Sequence, residues 1–314
     1  RKEHPTLKVR LPDSIRALSH SELNSATLQS ADVIVIGVSS PGVRWASDVL
    51  ENHSARPATL ALVTKGLVAL ENSINPPLTY ADALDRSLTD PSGNLVGIGG
   101  PCIARELALR QPTHVVFASR DIRVARQLRS VMQTSYYRIS TENEIVGVEA
   151  CAALKNFLCI GVSAMITRYP MDQSNAKNPL AALFNQAVQE LLILSRWISS
   201  ASEGVSASTD TAFMLAGMAD LHVTVGGGRN SRLGSYLGQG RQLKDLLNNE
   251  LNGVTVEGVD TGRMLYAGFK HACQTKLLDP QSLPLSLAIL NSIMHDTPFN
   301  FDFTHLPPGS DHET

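Results

Sequence analysis

The sequence predicts an α/β fold: part of a doubly wound, mostly parallel sheet, followed by an all-α half. Three observations predict it. From Asp32 to Arg138 short runs rich in Val and Ile alternate with stretches of helical spacing. After Thr141 the apolar runs lengthen and strand signals stop. The 314 residues, 43% hydrophobic and 18% charged, suffice for two domains of ordinary size.

The first half is read in order. Val33 to Val38, Thr59 to Val63, Leu95 to Ile98, Val115 to Ala118 and Tyr136 to Ile139 read as strands bounded by Gly, Pro, Ser or Asn. Val43 to Glu51 and Ile122 to Met132 carry helical spacing between them. Continuous apolar strands separated by helices mark a sheet covered on both faces.

The second half reads as helix throughout. Glu144 to Thr167 is one long buried helix. Asn178-Pro179 offers an N-cap followed by proline at the first helical position, opening a helix over Leu180 to Ile198. Ser208 or Thr209 caps a helix over Thr211 to Met218, and Leu243 to Leu251, Thr261 to Gln274 and Ser282 to His295 supply more. The tail from Asp302 onward is polar and expected to be loose. The division falls near residue 140, giving units over 1–140 and 141–314.

Composition excludes some functions. The formal net charge of -2 gives no reason to invoke nucleic acid or an anionic membrane. Cys102, Cys151, Cys159 and Cys273 form no Cys-x-x-Cys pair and sit mostly in apolar surroundings, which points to free thiols and a cytoplasmic location. No metal site is expected, because the histidines form no His-Glu-x-x-His or comparable cluster. Ile145 to Ile166 is long enough to span a bilayer, but Lys155 and Asn156 fall at its middle. A lysine there costs about 2.5 to 3.5 kcal/mol on insertion scales, so a buried core helix is the better reading.

That lysine is the first chemical signal. Lys155 is the sole charge between Glu149 and Arg168, and no carboxylate lies three or four residues away to pair with it. An ammonium desolvated by apolar neighbours has its pKa drawn toward neutrality, which suits a proton donor to a developing alkoxide. The alternative is a lysine that reaches the surface or pairs with a distant carboxylate.

Three further segments carry chemistry. Thr64-Lys65-Gly66 follows the run Leu60 to Val63, at the carboxyl end of a strand, where open parallel sheets bind ligands. Gly99-Gly100-Pro101-Cys102-Ile103-Ala104-Arg105-Glu106 makes a second such turn and leads into a helix. Each alone is equally a plain strand-to-helix turn. Gly217-Met218-Ala219-Asp220-Leu221, then Thr224, leads to Gly226-Gly227-Gly228-Arg229-Asn230, where glycines and a guanidinium together suit an anion.

In this order the four segments resemble the NAD-dependent glycerol-3-phosphate dehydrogenase family, from about His4 to Tyr266, with Val146-Gly147-Val148-Glu149 and Val256-Glu257-Gly258 in support. The resemblance implies a partial Rossmann-type dinucleotide-binding domain over 1–140 and an all-helical substrate domain over 141–314, usually as a homodimer. It implies hydride transfer between NAD, with NADP not excluded, and a small phosphorylated substrate, interconverting dihydroxyacetone phosphate and sn-glycerol 3-phosphate. By that match Lys155 is the general acid, with Lys65 and Asp220 completing the catalytic site. Gly100, Cys102, Asn156, Thr224, Gly228, Arg229 and Asn230 would meet the substrate, Arg229 and Asn230 at its phosphate. Lys65, Ala104, Arg229 and Glu257 would touch the cofactor.

Three departures stand out. Cys102 replaces the family's usual Ser, Thr or Asn, and Ser39 replaces a proline. The chain contains no Gly-x-Gly-x-x-Gly loop. That loop is expected before His4-Pro5, so the amino-terminal part of the dinucleotide platform is expected upstream of Arg1. Two alternatives follow: a redox-silent phosphate-binding or regulatory homologue, and a related dehydrogenase for another hydroxy acid or sugar phosphate.

Overall fold

A computed structural model describes residues 3–55, 58–69, 74–88, 94–168, 177–202 and 212–306. Its first half runs α1 (Ser25–Gln29), β1 (Val33–Ile36), α2 (Gly42–Asn52), β2 (Thr59–Leu62), β3 (Leu67–Val68), β4 (Leu78–Thr79), α3 (Tyr80–Ser87), β5 (Leu95–Gly99), α4 (Ala104–Ala108), β6 (Thr113–Ala118), α5 (Ile122–Met132) and β7 (Tyr137–Glu142). The helical half follows with α6 (Ile145–Arg168), α7 (Lys177–Ser199), a π-helix (Ala212–Ala219), α8 (Asp220–Val225), α9 (Arg229–Gly238), α10 (Leu243–Asn248), α11 (Glu257–Gln274) and α12 (Pro284–His295).

The five-stranded sheet has the order β1-β2-β5-β6-β7. β1, β2 and β5 are parallel, as are β6 and β7, but β5 and β6 pair antiparallel, Gly97 facing Ala118 and Gly99 facing Val116. The sheet is therefore mixed at one point. The short α4 accounts for it, since five helical residues do not carry the chain back across the sheet for a parallel return.

Side-chain alternation along the strands builds two cores. Leu60, Leu62, Val116 and Ala118 join the large core shared with the helical half, whereas Ala61, Val115 and Phe117 pack with Ala125 and Leu128 of α5. Cover is incomplete at the β1 end, where Val35 stays 49% exposed.

α6 is the axis of the helical half. It has no polar face, and every residue from Ile145 to Met165 is buried. Among the described residues it is the one helix long and apolar enough to cross a membrane, and its most apolar stretch is wholly covered by other parts of the chain. α9 lies against it because Gly234 and Gly238, four residues apart, bring backbone onto backbone. A Cβ on either would collide with the Ile160 or Ala164 carbonyl.

Several expected elements change. The helix expected over Thr211 to Met218 is a π-helix over Ala212–Ala219, and Ser208 and Thr209 lie outside the described residues. Asn178 falls inside the first turn of α7, which already includes Lys177, so it is not the cap. α11 begins at Glu257, four residues before the expected start at Thr261, because Glu257 and Asp260 suit the positive end of a helix. The tail expected to be loose from Asp302 is anchored at its start: Phe303 and Leu306 pack partly buried against the core, Phe303 edge-on to Phe301.

Candidate active site

The carboxyl ends of β1 and β2 open onto a cavity of about 460 Å³, closed from the other side by α6, α8, α9 and the start of α11. That size suits a small molecule. Local sequence sets the rim. Val38, Ser39 and Ser40 follow β1, and Val63, Thr64 and Lys65 follow β2. Thr64 Oγ1 donates to the Val38 carbonyl at 2.7 Å, and Ser40 Oγ donates to the Lys65 carbonyl at 3.2 Å. The two turns are thus tied together, and Lys65 is held facing the helical half.

Lys155 projects from the middle of α6 and is 6% exposed. Its Nζ donates to Asp220 Oδ1 at 2.9 Å and to Thr224 Oγ1 at 2.7 Å. Lys65 Nζ donates to the other carboxylate oxygen, Oδ2, at 2.8 Å. One carboxylate therefore bridges two ammonium groups. Asp220 is the first residue of α8, directly after the π-helix, whose wider turns set the phase at which Asp220 emerges. Thr224, one turn later, donates to the Asp220 carbonyl at 2.6 Å, so its remaining lone pair faces Lys155.

Burial pushes the Lys155 ammonium below the ordinary lysine range; the Lys65 charge adds to this, and Asp220 opposes it. Beneath it, burial pushes the Cys159 thiol up to about 11, and its Sγ donates to the Thr224 carbonyl at 3.4 Å.

The anion end is built by the turn before α9. Gly228 has φ of 111°, a left-handed conformation that suits glycine, and it turns the chain so that Arg229 opens α9 at the cavity. Arg229 forms an ion pair with Glu257, the first residue of α11. Asn230, buried, donates from Nδ2 to Asn156 Oδ1 at 3.1 Å. With its oxygen so engaged, Asn156 presents N–H groups to the cavity.

Lys65, Lys155, Asn156, Thr224, Gly228, Arg229, Asn230 and Glu257 all line this one cavity, and Asp220 joins through its two lysines. Gly100, Cys102 and Ala104 do not line it. Gly100 makes the turn after β5 with φ of 111°, Cys102 is exposed, and Ala104 opens α4. Partial desolvation raises the Cys102 thiol above its ordinary range, with the Lys65 charge lowering it and the Asp220 charge raising it. Sequence reading missed Ser40 and Thr255 in the lining, because a lone hydroxyl residue in a connecting segment carries no distinguishing signal. Among the described residues no cluster of His, Cys, Asp and Glu suits a metal ion.

Comparison with known proteins decides the family. The sequence model for the NAD-dependent glycerol-3-phosphate dehydrogenase N-terminus matches residues 1–125, and that for its C-terminus matches residues 144–297. This chain belongs to that family. It is 33% identical over 284 residues to the NADP(+)-dependent glycerol-3-phosphate dehydrogenase of Archaeoglobus fulgidus, covering 88% of this chain and 80% of the relative. It is 31% identical over 264 residues to a Geobacillus kaustophilus glycerol-3-phosphate dehydrogenase [NAD(P)+], covering 82% and 70%. The family fold recurs in solved structures. The glycerol-3-phosphate dehydrogenase of Saccharomyces cerevisiae superposes with a TM-score of 0.73 at 18% identity, covering 93% of this chain and 79% of that one. That of Coxiella burnetii gives 0.71 at 22%, covering 92% and 80%.

Proposed function

We propose that this protein reduces dihydroxyacetone phosphate to sn-glycerol 3-phosphate, and catalyses the reverse, with NAD or NADP as hydride carrier. One observation carries the reading: a buried lysine held by Asp220 faces the same cavity as an arginine at a helix start, some 460 Å³ in all, with an asparagine N–H between them. A phosphorylated ketone needs a proton donor at its carbonyl and cations at its phosphate, and this cavity offers both.

Lys155 donates a proton to the carbonyl oxygen as negative charge develops there, and its lowered pKa makes that transfer easier. Asp220 and Thr224 fix the direction of the ammonium, and Lys65 adds positive charge on the same side. Asn156 N–H groups orient the substrate oxygens. Arg229 takes the phosphate, assisted by the free N–H groups at the start of α9.

The residues present fit the nicotinamide half of the cofactor. Lys65 faces the cavity beyond the carboxyl end of β2, Glu257 faces it from the start of α11, and Ala104, beside the cavity, opens α4 with no side chain capping its amides. When bound, the cofactor supplies or accepts the hydride at the substrate carbon. The loop that would hold its pyrophosphate is absent from this sequence.

The wider setting belongs to the same proposal: a dinucleotide-binding domain over 1–140, a substrate domain over 141–314, and a cytoplasmic homodimer acting without nucleic acid or membrane. The free thiols and the fully covered α6 support it. The test is an assay of the full-length protein with NADH and NADPH against dihydroxyacetone phosphate and a panel of other ketones. Lys155→Met abolishes turnover while leaving the fold intact. Turnover near wild type in that variant removes Lys155 from its role; turnover of a different ketone in its place redirects the substrate.

A further inference from the structure

Lys65 reaches Asp220 from a turn with open space on both sides. A second cavity, of about 680 Å³, lies behind it, and Ser40, Lys65 and Glu257 line that cavity as well as the active-site one. A segment so sparsely packed keeps its position only through the few contacts that brace it.

Tyr80 supplies those contacts. β3 and β4 pair antiparallel, Leu67 facing Thr79 and Val68 facing Leu78, and this register carries Tyr80 opposite Gly66. The ring lies against Gly66, where an added Cβ would stand only 2.8 Å from it. The hydroxyl donates to the Ser40 carbonyl at 3.3 Å, and Ser40 Oγ in turn donates to the Lys65 carbonyl at 3.2 Å. One side chain, itself 6% exposed, therefore braces both turns at the rim.

Tyr80 is in turn fixed from α6. It is the first residue of α3, and the next amide, the Ala81 N–H, donates to Glu149 Oε2 at 2.8 Å. Glu149 lies six residues before Lys155 on the same helix. α6 thus sets both ammonium groups, Lys155 directly and Lys65 through Glu149, α3 and Tyr80.

We propose that Tyr80 is a positioning residue for Lys65: its ring and hydroxyl hold the turn that presents Lys65 Nζ to Asp220, and so to Lys155. This rests on Lys65 belonging to the catalytic site.

The test uses the full-length protein with NADH and dihydroxyacetone phosphate. Burial lowers the Lys155 pKa most; the Lys65 charge lowers it further, and Asp220 and Cys159 raise it. Lys155 therefore keeps its proton to higher pH once Lys65 leaves its place. Tyr80→Leu is expected to move the alkaline limb of ketone reduction upward, in the direction of Lys65→Met, and to lower kcat about 10- to 100-fold, the scale of a misplaced group. Tyr80→Phe, which keeps the ring on Gly66, moves the limb less in the same direction. In the Lys65→Met background Tyr80→Leu moves it no further. Acetylation of Lys65 by acetic anhydride, followed by mass spectrometry, rises in both Tyr80 variants as the contact with Asp220 loosens. A limb and a Lys65 acetylation rate at wild-type values in Tyr80→Leu overturn the proposal; if that variant does not fold, the same result in Tyr80→Phe does so. An equal shift of the limb in the Lys65→Met background also overturns it, because Tyr80 then acts independently of Lys65. Where Lys65→Met itself leaves the limb in place, the catalytic reading of Lys65 fails, and the acetylation comparison alone decides whether Tyr80 holds it.

Discussion

Lys155 and Asp220, 65 residues apart in sequence, meet at 2.9 Å inside the protein, and the second oxygen of the same carboxylate holds Lys65 at 2.8 Å. The bridge relieves the repulsion between two cations that would otherwise share one small space. It also holds Lys155 charged against its burial.

Removing that carboxylate charge gives the first prediction. In Asp220→Asn, Lys155 loses the group that raises its pKa and keeps the burial and the Lys65 charge that lower it. The alkaline limb of the pH profile for ketone reduction moves to lower pH, and activity at neutral pH falls at least about 100-fold, the scale of a lost general acid. A limb that stays in place separates Asp220 from Lys155 in function.

The second prediction concerns direction. Reduction needs protonated Lys155, so its rate is lost as pH rises through a pKa that lies below the ordinary lysine value. Oxidation needs the neutral amine, so its rate rises through the same pKa. Initial rates in both directions from pH 6 to 10 check this, and parallel profiles contradict a shared proton group.

Phosphate recognition is read by Arg229→Ala. Losing a charged hydrogen bond of about 1.5 to 3 kcal/mol raises KM for dihydroxyacetone phosphate about 10- to 100-fold with little change in kcat. Dihydroxyacetone, which lacks the phosphate, is unaffected. Equal losses with both ketones place Arg229 elsewhere in the mechanism.

Stability should vary with pH through Glu149. This buried carboxyl on α6 accepts the Ala81 N–H at 2.8 Å, helping to hold the start of α3, while its Oε1 has no hydrogen-bond partner. Burial raises its pKa to about 8 from 4.5. The folded state therefore binds a proton that the unfolded state releases, so its contribution is fully present below pH 4.5 and is lost as pH rises to about 8. Denaturant melts of Glu149→Gln should lose this part of the pH dependence; the same slope as wild type assigns it to other groups.

Much of this was legible in the chain, and the reason is local. Alternating apolar strands, the glycines at 226–228 and a lysine isolated in an apolar run are properties of neighbouring residues, set by backbone preference and the cost of burying charge. The family followed from the order of such segments. The π-helix was not legible, since an apolar run fits α and π windings alike until packing selects one. Nor was the antiparallel pairing of β5 with β6, because strand composition carries no direction.

By itself, then, the sequence determined that Lys155 lies alone in an apolar run, that Lys65 and Gly100 follow strands, and that Arg229 follows flexible backbone. The tertiary structure alone decided which charge answers which. Asp220 reaches both lysines, Glu257 holds Arg229, and Asn230 turns to α11, while Gly100, Cys102 and Ala104 fall beside the cavity. Pattern along a chain reports how each residue meets water, but partners separated by tens of residues are fixed only when helices pack and choose the faces they share.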